Sequence, residues 1–571
     1  MKKNYKKKSI ISGILSTMIL FVILIIGRVS SLKEIIGAIL ISLIYGIILG
    51  YSVDVLVKNS IRKFSKYIWS FLIILTFGVL IISFMKPSIL WDTWQVYDMS
   101  KYVFSDFGYM TQIRQQILNT HYEMAFPPVF PILISIVNMI YNLGVNAAVL
   151  LNSIFILLSF VELSKIFKEK NVEVAGAITT FIIFGGKLFI STYAGGLSQS
   201  LGYYLLILLV RIILSEQKYK PTFAIKTALC AGIMLMNRFD ALAIVVVMFF
   251  LIPFLMYKEH NWKFICKNML IYVFTVVLVC SPWIFYSFVH FGTPFITDNG
   301  RRLFNIPDTR PSTFFPYDNP APTIMDSFTE WLSSFTLRAY SAIISLVKAI
   351  IYNSIIIEVL VLLIVLLRKY TKGNRKILYD NRVVGVILII LGQEALFIFT
   401  GYKVLRYHLP ILFLLQFGVI YIVAKLNKIK NSRKNIIIMT LLFILIYGKV
   451  GFITNPVKVV NSFINENGYT SNLVLNEDEQ RLYSYLEDDC KTICFYRGEK
   501  TLDFLKFSAE SEISNIISPN NLSVDNVVQF VETFDVNYLY SYNKTVVDIF
   551  GSKFKLVNTP FENLYKLGVR K

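Results

Sequence analysis

The sequence predicts an all-α protein that crosses a membrane many times, followed by a small C-terminal α/β domain outside the cytoplasm. Composition is the first reason: 55% of the 571 residues are hydrophobic and 16% are charged, whereas soluble domains carry about 25% charged residues. Length is the second, because apolar runs of about 20 residues recur and each can cross a hydrocarbon core of ~30 Å. The third is a change of pattern near residue 455, after which these runs stop.

We predict about 13 transmembrane helices. They lie near residues 9–27, 34–54, 67–85, 147–163, 173–190, 196–214, 221–236, 239–257, 268–289, 350–367, 383–401, 405–424 and 436–453. The first follows a basic stretch without a small-residue cleavage site behind it, so we interpret it as a retained span.

Basic residues predict the orientation in the membrane. The net charge is +21, which in a soluble chain would suggest nucleic-acid binding. Here Lys and Arg stand in short blocks between apolar runs, at 1–8, 58–67, 164–170, 368–376 and 425–434. This is the positive-inside pattern, so we expect an N-terminus inside, a C-terminal domain outside and no nucleic-acid partner.

The predicted topology depends on the proline-rich segment 127–142. A full crossing there would put the basic block at 164–170 outside. The segment has 16 residues and three prolines at its start. We therefore expect a half-inserted or surface-lying helix.

Three regions are then predicted to face outside. Residues 1–454 would form the membrane domain, with a first outer loop at 86–126 and a large one at 291–335. The tail, 455–571, has 12 Lys and Arg against 16 Asp and Glu, a net charge of −4, and mixes helical and strand-like periods. These features predict the outer α/β domain.

Sequence motifs of soluble enzymes are missing: we find no P-loop, no GxGxxG after a strand, no CxxC pair and no HExxH. Four scattered histidines do not predict a metal site. No particular cofactor is predicted, and a divalent metal stays open. Cys490 and Cys494 could form a disulfide or remain two thiols.

Carboxylates and arginines converge on the predicted outer face. Asp92 and Asp98 stand in the first outer loop. The basic residues there are Arg238, Arg301, Arg302 and Arg406. Arginine outside the cytoplasm opposes the positive-inside bias, and its planar fork suits phosphate oxygens, so an anionic lipid headgroup is the predicted partner. A carboxylate beside it could serve as general base for an acceptor hydroxyl.

Four landmarks then suggest a family. They are WDTWQVYDMSKYVF (91–104), AFPPVFPILISIVNMIYN (125–142), MNRFDAL (236–242), and SPWIFYSFVHFGTPF (281–295) paired with VLRYHLP (404–410). In this order the chain resembles the integral-membrane glycosyltransferases of GT-C fold, in the branch of aminoarabinose transferases and protein O-mannosyltransferases.

The resemblance implies a GT-C-like membrane domain and an enzyme that moves a sugar from a polyprenyl-phosphate carrier to a lipid, wall-polymer or protein acceptor, with inversion. It implies that Asp92 is the base. The role of a second acid is either unfilled or taken by Asp98, for which a surface or capping role is the alternative. The residues that it assigns to the lipid phosphate and sugar are Arg238, Arg301, Arg302, Lys403, Arg406, Tyr407 and His121. The chain departs from the family pattern at Thr93, where a second acid is usual, and at Phe239–Asp240, where Pro-Glu is usual.

Other interpretations stay open. Asp92 could be a solvated helix cap, and Arg238 could pair structurally with Asp240. At the level of function, the alternatives are a transporter or flippase and a polymerase or ligase of lipid-linked glycans. A transporter should show repeated halves with polar groups at the membrane midplane, which we do not find.

Overall fold

The chain forms two compact units. The first comprises residues 1–88, 137–295 and 335–470, and the second comprises 89–136, 296–334 and 471–571. The computed structural model describes residues 2–26, 31–60, 63–85, 91–104, 113–114, 126–169, 173–185, 187–214, 222–257, 260–291, 327–352, 381–400, 481–482, 484–486, 490, 492–496, 514–518 and 522–570.

The predicted fold class is confirmed: a helical membrane protein ends in a small α/β domain. The helices outside the tail are α1 (Lys2–Ile26), α2 (Leu32–Asn59), α3 (Lys63–Met85), α4 (Trp91–Tyr102), α5 (Val129–Ile140), α6 (Asn146–Glu169), α7 (Glu173–Phe184), α8 (Lys187–Ala194), α9 (Gln199–Leu214), α10 (Thr222–Asn237), α11 (Leu242–Met256), α12 (Trp262–Phe291), α13 (Phe328–Tyr352) and α14 (Asn381–Thr400).

Within the described ranges, six helices are long and apolar enough to cross a membrane. They cover Ser9–Ile26, Leu32–Asn59, Phe64–Met85, Asn146–Glu169, Phe239–Met256 and Trp262–His290. Helices α9, α10 and α14 are not among these six, but they lie where spans are predicted. Most of the predicted span at 350–367 lies outside the described residues, as do those at 405–424 and 436–453.

Three segments differ from, or refine, the sequence prediction. The span predicted at 173–190 is two helices, α7 and α8, which meet at the turn of Gly185. Helix α5 has 12 residues, or about 18 Å, less than a bilayer core. Helix α13 begins inside the predicted loop 291–335, where the sequence predicts no helix.

Small residues let α1 and α2 pack against each other at close range. A Cβ added at Gly13 would lie 2.8 Å from the carbonyl oxygen of Gly46, and one at Gly50 would lie 3.1 Å from the carbonyl oxygen of Ser9. Gly46 and Gly50 form a GxxxG pair, which brings helix backbones together in lipid. On its other side α2 contacts α6, where Tyr45 Oη and Ser153 Oγ are 2.6 Å apart.

We expect the substitution Gly46→Leu to destabilise the membrane unit by ~1–3 kcal/mol, because the new side chain would overlap α1. The measurement is the melting temperature of the purified protein in detergent. Gly78→Leu on α3 is the matched control, since a Cβ at Gly78 meets no heavy atom within 4 Å. An equal loss of melting temperature in both variants would contradict this account of the hairpin.

The second unit contains a six-stranded sheet. Its strands are β1 (Ile113–Arg114), β2 (Thr492–Tyr496), β3 (Ser514–Ser518), β4 (Tyr538–Tyr540), β5 (Phe554–Asn558) and β6 (Leu564–Arg570). Their order is β1-β3-β2-β4-β6-β5. The first four in this order pair in parallel, and β6 pairs antiparallel with both β4 and β5. Two helices, α15 (Val527–Phe534) and α16 (Lys544–Lys553), follow β3 and β4 in sequence.

One edge of this sheet comes from the segment between α4 and α5. Strand β1 pairs with β3 in the register Ile113 to Asn515 and Arg114 to Ile516. Sequence periodicity could not show a two-residue strand whose partner lies about 400 residues away. The segment between α4 and α5 and the C-terminal tail therefore form one sheet.

Both tail cysteines are free thiols, and both are buried. Cys494 on β2 packs in the core with Phe530 from α15 and Phe550 from α16. Burial raises the pKa of the Cys494 thiol, because a thiolate there would lose its hydration.

We expect Cys494 in the native full-length protein to resist alkylation at pH 7 and at pH 9. An exposed thiol gains thiolate over this range, whereas the raised pKa keeps Cys494 protonated. Mass spectrometry after iodoacetamide treatment measures the modified fraction. Ser552→Cys, on the exposed side of α16, supplies a reactive control. Rapid labelling of Cys494 before denaturation would contradict the buried position.

Candidate active site

Helix α4 carries both predicted catalytic acids. Asp92 stands in its first turn and Lys101 in its last, an arrangement that suits the helix dipole. The side chain of Asp92 is partly exposed, whereas the eight residues after it are all buried. An acid with partial access to solvent thus lies at the start of a helix that packing holds in place.

Asp98 is 0% exposed, so its interpretation as a surface residue is wrong. Six residues separate it from Asp92, which corresponds to about 240° around the helix and ~9 Å along it. The two carboxylates therefore leave α4 on different faces. Thr93, which occupies the position of the family's second acid, is also buried.

Aromatic side chains support α4. The rings of Trp94 and Tyr97 lie 6.2 Å apart in an edge-on arrangement, and Lys101 Nζ lies 5.2 Å from the Tyr97 ring centre. Ser100 Oγ donates a hydrogen bond to the Tyr97 carbonyl oxygen at 2.6 Å. All three contacts lie within α4, and they order the side chains of its middle and last turns.

Arg238 lies between α10 and a 3₁₀ turn, Phe239–Ala241. Its Nε donates to both carboxylate oxygens of Asp240, at 3.0 and 3.3 Å, and its Nη2 donates to Oδ2 at 3.1 Å. The side chains are 22% and 7% exposed. The ion pair with Asp240, which is the alternative role predicted for Arg238, is thus present. It fixes the orientation of one edge of the guanidinium.

An aromatic series extends from this turn along α12. The ring centre of Phe239 is 5.1 Å from that of Trp283, Trp283 is 5.1 Å from Tyr286, and Tyr286 is 4.8 Å from the ring of His290. Because Trp283 is fully buried, the series holds the 3₁₀ turn against α12. Packing therefore restrains the backbone that presents Arg238.

Two buried asparagines next to this region were missed by sequence reasoning. Asn237 Nδ2 donates to the Ser198 carbonyl oxygen at 3.1 Å, and Asn152 Nδ2 donates to the Tyr193 carbonyl oxygen at 3.2 Å. They hold both ends of the turn between α8 and α9, where Gly196 has φ 77°. An asparagine inside an apolar run is the sequence signal that indicates such a contact, because these side chains usually form hydrogen bonds between helices.

A second buried ion pair explains two charged residues of the predicted spans. Glu162 on α6 accepts from Lys165 Nζ at 2.6 Å and from Arg211 on α9. Intramembrane charges are candidates for function by default, but this acid is paired within and between helices. We assign it to the packing of α6 against α9.

The other predicted site residues lie outside the described residues. They are His121, Arg301, Arg302, Lys403, Arg406 and Tyr407. Among the residues that the structure does describe, no three His, Cys, Asp or Glu side chains come together as metal ligands do.

Three solved structures resemble this chain in fold. The crystal structure of ArnT from Cupriavidus metallidurans bound to undecaprenyl phosphate is 12% identical, with a TM-score of 0.41, and the match covers 77% of this chain and 74% of that one. The apo form of that ArnT is 10% identical, with a TM-score of 0.46 and coverage of 87% and 97%. The Archaeoglobus fulgidus oligosaccharyltransferase in complex with Zn and sulfate is 10% identical, with a TM-score of 0.42 and coverage of 87% and 73%.

No protein-family profile and no curated protein sequence matches the chain. Assignments to individual residues therefore rest on this chain's own sequence and geometry.

Proposed function

We propose that this protein is a membrane glycosyltransferase that moves a sugar from a polyprenyl-phosphate carrier to an acceptor hydroxyl on the outer face of the cytoplasmic membrane. The observation that carries the proposal is the exposure of Asp92, a partly exposed carboxylate that is followed by eight buried residues of the same helix. A general base must contact its substrate, and its side chain must be held in a defined orientation. The order of the sequence landmarks over residues 86–424 supports the choice of reaction.

The proposed step is one displacement at the anomeric carbon. The acceptor oxygen forms a bond to that carbon as the bond from the carbon to the phosphate oxygen breaks. The acceptor proton passes to Asp92, and the bonding electrons leave with the lipid phosphate, which gains one negative charge. Attack on the face opposite the phosphate inverts the configuration.

Arg238 is the proposed partner of the departing phosphate among the described residues. A guanidinium that is already oriented stabilises developing charge without reorganising during the reaction. Its pairing with Asp240 supports that role, since the carboxylate fixes the direction of the fork. Arg301, Arg302, Lys403, Arg406, Tyr407 and His121 remain candidates through the family resemblance alone.

The test is a transfer assay on membranes that contain the wild-type protein, with a panel of radiolabelled polyprenyl-phospho-sugars of hexose and pentose type. We expect one donor class to yield labelled acceptor together with free polyprenyl phosphate. The acceptor fraction, whether lipid, wall polymer or protein, identifies the second substrate.

The same labelled donors, used in membranes and in reconstituted vesicles, separate the alternative functions. A flippase would move the labelled donor across the bilayer of reconstituted vesicles without cleaving the sugar–phosphate bond. A polymerase or ligase would lengthen a lipid-linked glycan and would leave single-sugar donors intact. Either result in place of single-sugar transfer would overturn the proposal.

A further inference from the structure

An apolar groove runs along the first turns of α2 where this helix meets the end of α5. Its volume is about 420 Å³. The lining residues are Leu32, Lys33, Ile36, Gly37, Leu40 and Ile140. The stretch from Leu32 to Leu40 is about 12 Å long at 1.5 Å per residue.

The groove has rigid walls because three helices meet beside it. A Cβ added at Gly37 would lie 3.1 Å from Tyr141 Cβ, so the absence of a side chain lets α2 approach the end of α5. Tyr141 Oη in turn donates to the Leu24 carbonyl oxygen of α1 at 3.0 Å. The shape of the groove is thus determined by backbone and buried side chains.

The groove carries charge at one end only. Lys33 is the single charged residue of the lining, and it forms no ion pair with any residue that the structure describes. The neighbouring Glu34 is engaged in the capping box, in which it accepts from Ser31 N at 3.2 Å while Ser31 Oγ accepts from Glu34 N at 3.3 Å. Lys33 is also near the N-terminus of a 28-residue helix, where the helix dipole favours an anion.

We infer that this groove binds an anionic phospholipid of the bilayer, with one acyl chain along α2 and the phosphate at Lys33. An apolar channel that ends in one cation at the membrane boundary matches a lipid with a charged headgroup. The open side of the groove faces the hydrocarbon region, since Leu32, Ile36 and Leu40 are exposed. The second acyl chain of a phospholipid can therefore lie in the adjacent bilayer. The inference is independent of the proposed transferase activity.

The test is native mass spectrometry of the full-length protein in detergent, titrated with phosphatidylglycerol or phosphatidylcholine of equal chain length. We expect one phosphatidylglycerol to bind about five-fold more tightly than phosphatidylcholine, from ~1 kcal/mol per lysine at an anionic headgroup. Lys33→Gln should abolish this preference and Lys33→Arg should retain it. Leu40→Trp should lower the affinity for both lipids, because the indole would fill the groove.

Lys58→Gln is the matched control, because Lys58 lies at the other end of α2 and pairs with Asp54; it should keep the preference. Equal binding of the two lipids by the wild type would overturn the inference, as would an unchanged preference in Lys33→Gln. Displacement of phosphatidylglycerol by a lower concentration of polyprenyl phosphate would also overturn it, in favour of the carrier lipid. Melting temperatures confirm that each variant is folded.

Discussion

Membranes that contain the Asp92→Asn variant are expected to transfer sugar about 100- to 10,000-fold more slowly than wild-type membranes, the range that a general base contributes. Asparagine preserves the size of the side chain and its place in the first turn of α4, but it cannot accept the acceptor's proton. The measurement is the initial rate of labelled product at saturating donor.

Two controls make this result specific to the carboxylate. Asp92→Glu keeps a carboxylate on a side chain that is one methylene longer, and it should retain part of the activity. Lys101→Gln changes an exposed charge on the same helix and should leave the rate unchanged. Wild-type transfer by Asp92→Asn, in protein with an unaltered melting temperature, would refute the assignment of the base.

Arg238 is expected to give the second large effect, and its pairing with Asp240 allows a sharper design than single substitutions. Arg238→Gln alone leaves a buried carboxylate without its partner, a change that costs about 3–5 kcal/mol of stability in other proteins. The double variant Arg238→Gln with Asp240→Asn removes both charges and should recover most of that stability. Melting temperature and transfer rate are measured for both.

The two possible roles of Arg238 predict different rates for the double variant. If Arg238 binds the departing phosphate, the rate should stay about 100- to 1,000-fold below wild type although the protein is stable. If the pair serves packing alone, the rate should recover together with the melting temperature. The second outcome would remove Arg238 from the proposed mechanism and leave the role of Asp92 intact.

The membrane helices were largely predictable because their physical cause is local. A run of about 20 apolar residues has few alternatives to a spanning helix, and α2, α3, α6 and α12 lie where hydropathy places them. The break between α7 and α8 was missed, since hydropathy averages over Gly185 and does not register the turn.

The candidate site was predictable in part. Asp92 and Arg238 are identifiable as candidate site residues because charged residues are rare in this apolar sequence. The spacing of two residues between Arg238 and Asp240 made their ion pair foreseeable. The burial of Asp98 was not foreseeable, because it depends on side chains distant in sequence. The same holds for Asn152 and Asn237, whose carbonyl partners belong to other helices.

The pairing of β1 with β3 also has a consequence for the time course of synthesis. Ile113 and Asn515 are partners, and translation at ~5–20 residues per second needs roughly 20–80 s to cover the ~400 residues between them. During that interval the loop behind α4 has no strand with which to pair. Strand β1, which follows α4 in sequence, can therefore pair with β3 only after the C-terminal domain has been made. A ribosome that stops early leaves the membrane helices in place and this edge of the sheet unformed.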